Sequence, residues 1–265
     1  MATKNIQVDV NGKGLAGVLH VPNQNENNKV PVIIFVHGFV GSKVGEHRLF
    51  VKAARYFVDH GYAVLRFDFS GCGESDGDYG EVTLTNQINE LKAMIDVATN
   101  ESLLDGDQIT VIGHSLGGAV SALTSAQDQR IQRLMLWSPV ARPYEDITRI
   151  TGKQAVRVAK RVGSFDYLGF SLRHEFFADL KKHAPLVAIR SYHGPVGVIH
   201  ADDDEQVPKT NAADYVKALE QGRTESVIKD YIATADHTFS GYSYENELFS
   251  KSLAWLRQTT TTLTR

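Results

Sequence analysis

The chain reads as an α/β protein with an open, mostly parallel sheet and helices on both faces. Short runs rich in β-branched and aromatic residues alternate with helical patterns, which is the texture of strand–helix–strand units. Most of those runs are apolar at every position, as strands buried between two helix layers must be. An alternating hairpin precedes them and supplies antiparallel edge strands.

The hairpin is "NIQVDV" (5–10) and "LAGVLHV" (15–21), joined by "NGKG", a turn rich in asparagine and glycine. The central strands are "PVIIFVHG" (31–38), "YAVLRFDF" (62–69), "QITVIGHS" (108–115), "RLMLWSP" (133–139), "PVGVIH" (195–200) and "SVIKDYI" (226–232). Helical patterns fall between or after them at 45–60, 83–100, 116–128, 208–221 and 243–257. The polar stretch 23–28 reads as a hairpin or connecting loop, and 258–265 as a frayed tail. One connection is too long for a single crossover helix: 54 residues separate Ala141 and Gly194 inclusively. It holds the amphipathic "KQAVRVAKRV" and seven aromatics, and ten Lys/Arg against five Asp/Glu. We read it as a basic cap over the strand ends, inserted into one domain spanning residues 1–265.

Bulk composition narrows the function classes. The chain has 265 residues, 42% hydrophobic and 22% charged, with a formal net charge of −3. That is ordinary for a globular protein with a sizeable core, and the charge gives no sign of a nucleic-acid or membrane-surface binder. The start "MATKNIQVDV" has no apolar run of signal-peptide length, and no stretch approaches the length of a membrane span. The single cysteine, Cys72, excludes an internal disulfide and fits a reducing compartment, so a cytoplasmic location is expected. Cys72 itself reads as a structural thiol. The sequence leaves a homodimer open.

The chemistry centres on "GHSLGG" (113–118). In G-x-S-x-G between a strand and a helix, the serine sits on a strained turn that lifts its hydroxyl above the sheet. Gly113 and Gly117 are small because side chains there would clash across the turn. A serine hydroxyl is a weak nucleophile and needs a base within hydrogen-bond reach. In this arrangement an acid and then a histidine should follow, each on a loop after a later strand. "ADDDEQVP" follows one such strand and "ATADHTF" another. His237 is the one histidine after residue 200. Among Asp202, Asp203 and Asp204 we choose Asp204, which opens a D-x-x-V-P phrase, with its neighbours as alternatives. Two backbone donors should face a developing oxyanion: the amide of Leu116, and that of Phe39, freed by the turn at Gly38.

The phrases "HGFVGS", "RFDFSGCGESDG", "GHSLGG", "HADDDEQVP" and "ADHTF", in that order, resemble the α/β-hydrolase superfamily over essentially the whole chain. Within it the chain is similar to bacterial carboxylesterases of the cinnamoyl or feruloyl esterase type. The resemblance implies an eight-stranded, mostly parallel sheet with a cap between the sixth and seventh strands. It also implies ester hydrolysis through an acyl-enzyme without metal or organic cofactor, on a small-molecule ester. Ser115 would attack, His237 would carry the proton and Asp204 would hold the imidazolium. By the same resemblance Asp146 and the position of Phe177 would form a substrate clamp. Phenylalanine at 177 lacks the hydroxyl expected there, which counts against a hydroxycinnamate. A thioesterase or small peptidase would use the same triad, and a non-catalytic ligand-binding homologue would keep the fold.

Overall fold

The computed structural model describes residues 1–23 and 29–263, the side chains of 260–263 excepted. Ten strands form. The main sheet contains β1 (Ala2–Val10), β2 (Lys13–Val21), β3 (Val30–Val36), β4 (Ala63–Phe67), β5 (Leu104–His114), β6 (Ile131–Trp137), β9 (Val196–Ala201) and β10 (Val227–Ile232). Their spatial order is β1-β2-β4-β3-β5-β6-β9-β10, antiparallel for the first two pairings and parallel from β4 onward. The hairpin closes on Asn11 and Gly12, both at positive φ (56° and 79°), the backbone that a two-residue turn between twisted strands requires.

Helices cover both faces. On one side lie α1 (Leu49–Asp59) and α9 (Tyr242–Leu263); on the other lie α2 (Leu84–Asn100), α3 (Leu116–Ser125) and α8 (Thr210–Glu220). β3 explains why the central strands are apolar throughout. Val32, Ile34 and Val36 enter the core beneath α2 and α3, while Ile33 and Phe35 enter the core beneath α1 and α9.

The segment between β6 and β9 is a layered insert. It contains α4 (Pro143–Thr151), α5 (Lys153–Val162), the two-stranded sheet of β7 (Ser164–Tyr167) and β8 (Phe170–Arg173), α6 (His174–Leu180) and the short α7 (Pro185–Ala188). The amphipathic stretch is α5, which buries Ala155 and Ala159. Phe176 of α6 stacks on Phe39 with ring centroids 5.7 Å apart, which ties the insert to the loop after β3.

Two expectations differ from the structure, and a third is not reached by it. The helix expected from residue 45 begins as a 3-10 turn, Glu46–Arg48, because His47 and Arg48 take positive φ (39° and 66°); α1 starts only at Leu49. The expected tail is helical through Leu263, continuing α9 beyond Trp255 and Leu256, which are buried in the core. The loop expected at 23–28 lies, apart from Asn23, outside the described residues.

Candidate active site

Ser115 stands between β5 and α3 with φ 58° and ψ −125°, a backbone that costs a non-glycine residue about 1–3 kcal/mol. Its surroundings hold it there. The Ser115 amide donates to the Trp137 carbonyl at 3.0 Å, and its own carbonyl accepts from the Gly118 and Val140 amides, each at 3.0 Å. Three glycines make the room. A Cβ on Gly113 would stand 2.5 Å from the Gly117 carbonyl oxygen, and one on Gly117 would stand 2.2 Å from that of Val36. A Cβ on Gly38 would lie 2.8 Å from Cβ of Ser115.

The three residues chosen from the sequence meet in one hydrogen-bonded chain. His237 Nε2 lies 2.9 Å from the Ser115 hydroxyl, and His237 Nδ1 lies 2.7 Å from Oδ2 of Asp204. An imidazole so placed between a hydroxyl and a buried carboxylate is the arrangement that makes a hydroxyl nucleophilic. Asp204 occurs in a turn that builds its own cradle. Its Oδ1 accepts the amides of Gln206 (2.9 Å) and Val207 (2.7 Å), which is the physical content of the D-x-x-V-P phrase. Burial works to raise its pKa, but hydrogen bonds from His200, His237 and the Val207 amide outweigh it. The carboxyl is held well below the usual carboxylate range. The alternatives are occupied elsewhere: Asp202 pairs with Lys209 at 2.7 Å, and Asp203 is exposed. The amides of Asp202 and Asp203 donate to the carbonyls of Ile232 and Ala235, each at 3.0 Å, lashing the acid turn to the His237 loop.

Supporting residues also surround His237. His114 Nε2–H donates to the His237 carbonyl at 2.9 Å, and the two rings lie 4.9 Å apart. Burial first, and then the charge on His237, push the His114 pKa down to about 3, so it acts as an uncharged strut. His47 Nε2–H donates to the Thr238 carbonyl at 2.9 Å, fastening the same loop to the turn before α1.

The loop after β3 is fixed as firmly. His37 accepts the Phe69 amide at Nε2 (3.1 Å), which leaves Nδ1–H to donate to the Gly38 carbonyl (3.0 Å). The fully buried Asp68 accepts the Lys43 amide and its ammonium, both at 2.5 Å. The amide of Val40 donates to the Tyr79 hydroxyl at 3.1 Å. Ser115 provides no side-chain cap for α3; the Gly118 amide is taken by the Ser115 carbonyl, and the amides of Leu116 and Gly117 stand at the helix's amino end beside the hydroxyl.

A cavity of about 310 Å³ opens over Ser115 and His237. Phe39, Phe50, Ile150, Tyr167 and Leu168 give it apolar walls, and Glu46, Gln206 and Thr238 give it polar ones. Two expected substrate contacts are not in it. Asp146 is buried, and its Oδ2 accepts the Asn211 amide group at 2.8 Å and the Ala141 and Arg142 amides at 3.2 Å. It ties α4 to α8. Phe177 is 1% exposed and packs against Phe176, facing the insert's core. Cys72 is buried too; burial, then the charges of Asp68 and Glu90, push its thiol far up, which disfavours the thiolate. Among the described residues, no group of three or more His, Cys, Asp or Glu is placed to hold a metal ion. Nor is any helix among them long and apolar enough to cross a membrane.

The residues missed in the sequence were His114, His200, Asp68 and Tyr79. Each is a polar side chain within an apolar strand or a glycine-rich loop; His114 in "GHSLGG", Asp68 in "RFDFSGCGESDG" and His200 in "HADDDEQVP" lay in phrases already singled out, and Tyr79 did not.

A doubly covered parallel sheet with a strained serine at the carboxyl end of its middle strand defines a class, the α/β hydrolases. The family model described as "alpha/beta hydrolase fold" matches residues 31–170, and the chain belongs to that family. Over 120 residues it is 35% identical to an uncharacterised 31.7 kDa protein of Escherichia coli, a match covering 45% of this chain and 40% of that one. It is 26% identical over 190 residues to the human mitochondrial palmitoyl-protein thioesterase ABHD10, covering 68% of this chain and 59% of the relative. It is 25% identical over 203 residues to the quorum-quenching protein AidA of Acinetobacter baumannii, covering 76% and 62%. The chain thus matches about two fifths to three fifths of the length of these relatives. Among solved structures, ferulic acid-bound Est1E from Butyrivibrio proteoclasticus superposes with a TM-score of 0.82 at 24% identity, covering 97% of this chain and 99% of that one. That likeness is one of fold.

Proposed function

We propose that the protein is a serine esterase that hydrolyses small carboxylic esters through an acyl-enzyme. The observation that carries this reading is the unbroken chain from the Ser115 hydroxyl through His237 to the buried Asp204. Ser115 Oγ attacks the ester carbonyl while His237 Nε2 takes its proton. Asp204 holds the imidazole by Nδ1–H and stabilises its charged form. The amides of Leu116 and Phe39 receive the oxyanion, aided by the amino end of α3. His237 then passes its proton to the departing alcohol. Water, deprotonated by the same imidazole, attacks the acyl group and releases the acid through the same oxyanion site.

The apolar cavity walls support a compact aryl or acyl group. The hydroxycinnamoyl reading loses support, since Asp146 and Phe177 lie outside the cavity. A thioesterase is the second reading, favoured by the similarity to palmitoyl-protein thioesterase. We place the protein in the cytoplasm on the strength of its single, buried cysteine.

A panel of p-nitrophenyl esters and acyl thioesters of increasing chain length, assayed with wild type and Ser115→Ala, tests the proposal. Turnover of short esters should exceed that of thioesters and fall by about 10⁴-fold or more in the variant. Ester turnover retained by Ser115→Ala would overturn the assignment, and a preference for thioesters would move it to the second reading.

A further inference from the structure

The acid of this site carries a second histidine, which the triad does not use. His200, on β9, is fully buried. Its Nε2 lies 3.2 Å from Oδ2 of Asp204 and 3.2 Å from the Val207 carbonyl. Both neighbours are acceptors, so Nε2 is the nitrogen that bears the proton. Nδ1 is buried without a partner, and a proton there would be an unsatisfied donor. The ring therefore stands as an Nε2–H donor between the Val207 carbonyl, which accepts its hydrogen bond, and Oδ2 of the acid at the same distance. The Asp204 carboxylate, with 0% of its side chain exposed, accepts two amides on Oδ1 and His237 on Oδ2, and His200 Nε2 stands 3.2 Å from that same Oδ2.

Resting on the triad reading above, we propose that His200 is a positioning residue that completes the hydrogen-bond shell of Asp204 and sets how strongly that acid holds the proton of His237. Its N–H, shared between the Val207 carbonyl and Oδ2, borders one side of that oxygen and so helps fix the plane in which the carboxylate meets Nδ1 of His237. It also draws charge from the oxygen that binds the imidazole. Without it, Oδ2 holds the imidazolium more tightly, and His237 gives up its proton only at higher pH. The titratable groups around His200 are Asp204 and His237, His114 beside the His237 ring, and Tyr231, its register partner on β10. His114 takes a proton only near pH 3, well away from the working range of the site.

The test is the pH profile of kcat/KM for a p-nitrophenyl ester in wild type, His200→Phe and His200→Gln. Active sites are counted by a fluorophosphonate that labels the wild type and not Ser115→Ala. His200→Phe should remain labelled, lose kcat several-fold with little change in KM, and show an acid limb raised by about half a pH unit, or about threefold in proton affinity. His200→Gln, whose amide N–H still reaches Asp204, should return the limb toward wild type. A labelled His200→Phe with an unmoved or lowered limb overturns the role of His200 alone, whereas an unlabelled wild type overturns the triad with it. If the Phe variant does not fold, Gln is compared with Asn, which is too short to reach. Separated limbs then support the role, and coincident limbs overturn it.

Discussion

Asp204 is the residue at which charge, burial and geometry converge. Its folded pKa lies below the unfolded value of about 3.9, so the stability it contributes is full above about pH 4 and is lost as pH falls further. Asp204→Asn should accordingly lower the melting temperature near neutral pH, and the gap from wild type should narrow below pH 4. A gap constant across that range would contradict the account. In catalysis the same change should cost about 10⁴-fold in kcat by presenting the wrong tautomer of His237. Asp202→Asn and Asp203→Asn should stay within a few-fold of wild type, since neither carboxylate faces the imidazole; ester kinetics on the three variants decide it. The sequence pointed to Ser115, His237 and Asp204, which the structure joins in one hydrogen-bonded chain, because a nucleophile, a base and an acid would have to be particular residue types in a particular order. It did not disclose His200 or His114, since a histidine in an apolar strand reads equally well as a satisfied core residue. Asp146 and Phe177 were misjudged for a related reason: residue type can be matched along the chain, but the direction a helix gives a side chain cannot.

At the level of elements, the turn between β5 and α3 is set by how closely backbones approach. Gly117→Ala should destabilise the fold strongly, because the added methyl would meet the rigid carbonyl of Val36. Gly38→Ala would press on the Ser115 side chain instead, so it should lose activity out of proportion to stability. Thermal melts paired with ester kinetics separate the two; equal losses of stability would contradict the distinction. The tip of the β7–β8 hairpin carries a different expectation. Leu168 is 81% exposed yet lines the cavity, so Leu168→Ala should raise KM for bulky acyl esters several-fold, spare acetyl esters and leave the melting temperature unchanged. The central strands and most helices were legible because burial on two faces leaves an unmistakable apolar pattern. The hairpin was not, because its strands are only four residues long and turn on Leu168 and Gly169, with leucine at a positive φ of 52°.

For the whole molecule, the site is a meeting of distant loops on a buried sheet, and its histidines make that assembly sensitive to acid. His114 resists protonation in the fold down to about pH 3, whereas the unfolded chain takes up that proton near pH 6.5. Between those values the unfolded state binds more protons, so stability rises with pH by up to about 1.4 kcal/mol per pH unit from this residue. Burial also depresses the His20 pKa, to about 4, and adds to the trend in the same direction. His114→Gln should flatten the stability curve between about pH 4 and 6.5, and an unchanged slope in urea melts would contradict the burial argument. The central claim is that Ser115 becomes covalently acylated during turnover. The direct measurement is acid quenching of the wild-type protein during hydrolysis of p-nitrophenyl acetate, followed by peptide mass analysis. The account predicts one acetyl group on the peptide bearing Ser115 and none in Ser115→Ala. Sustained turnover with no adduct there, or with the acetyl group on another residue, would contradict it.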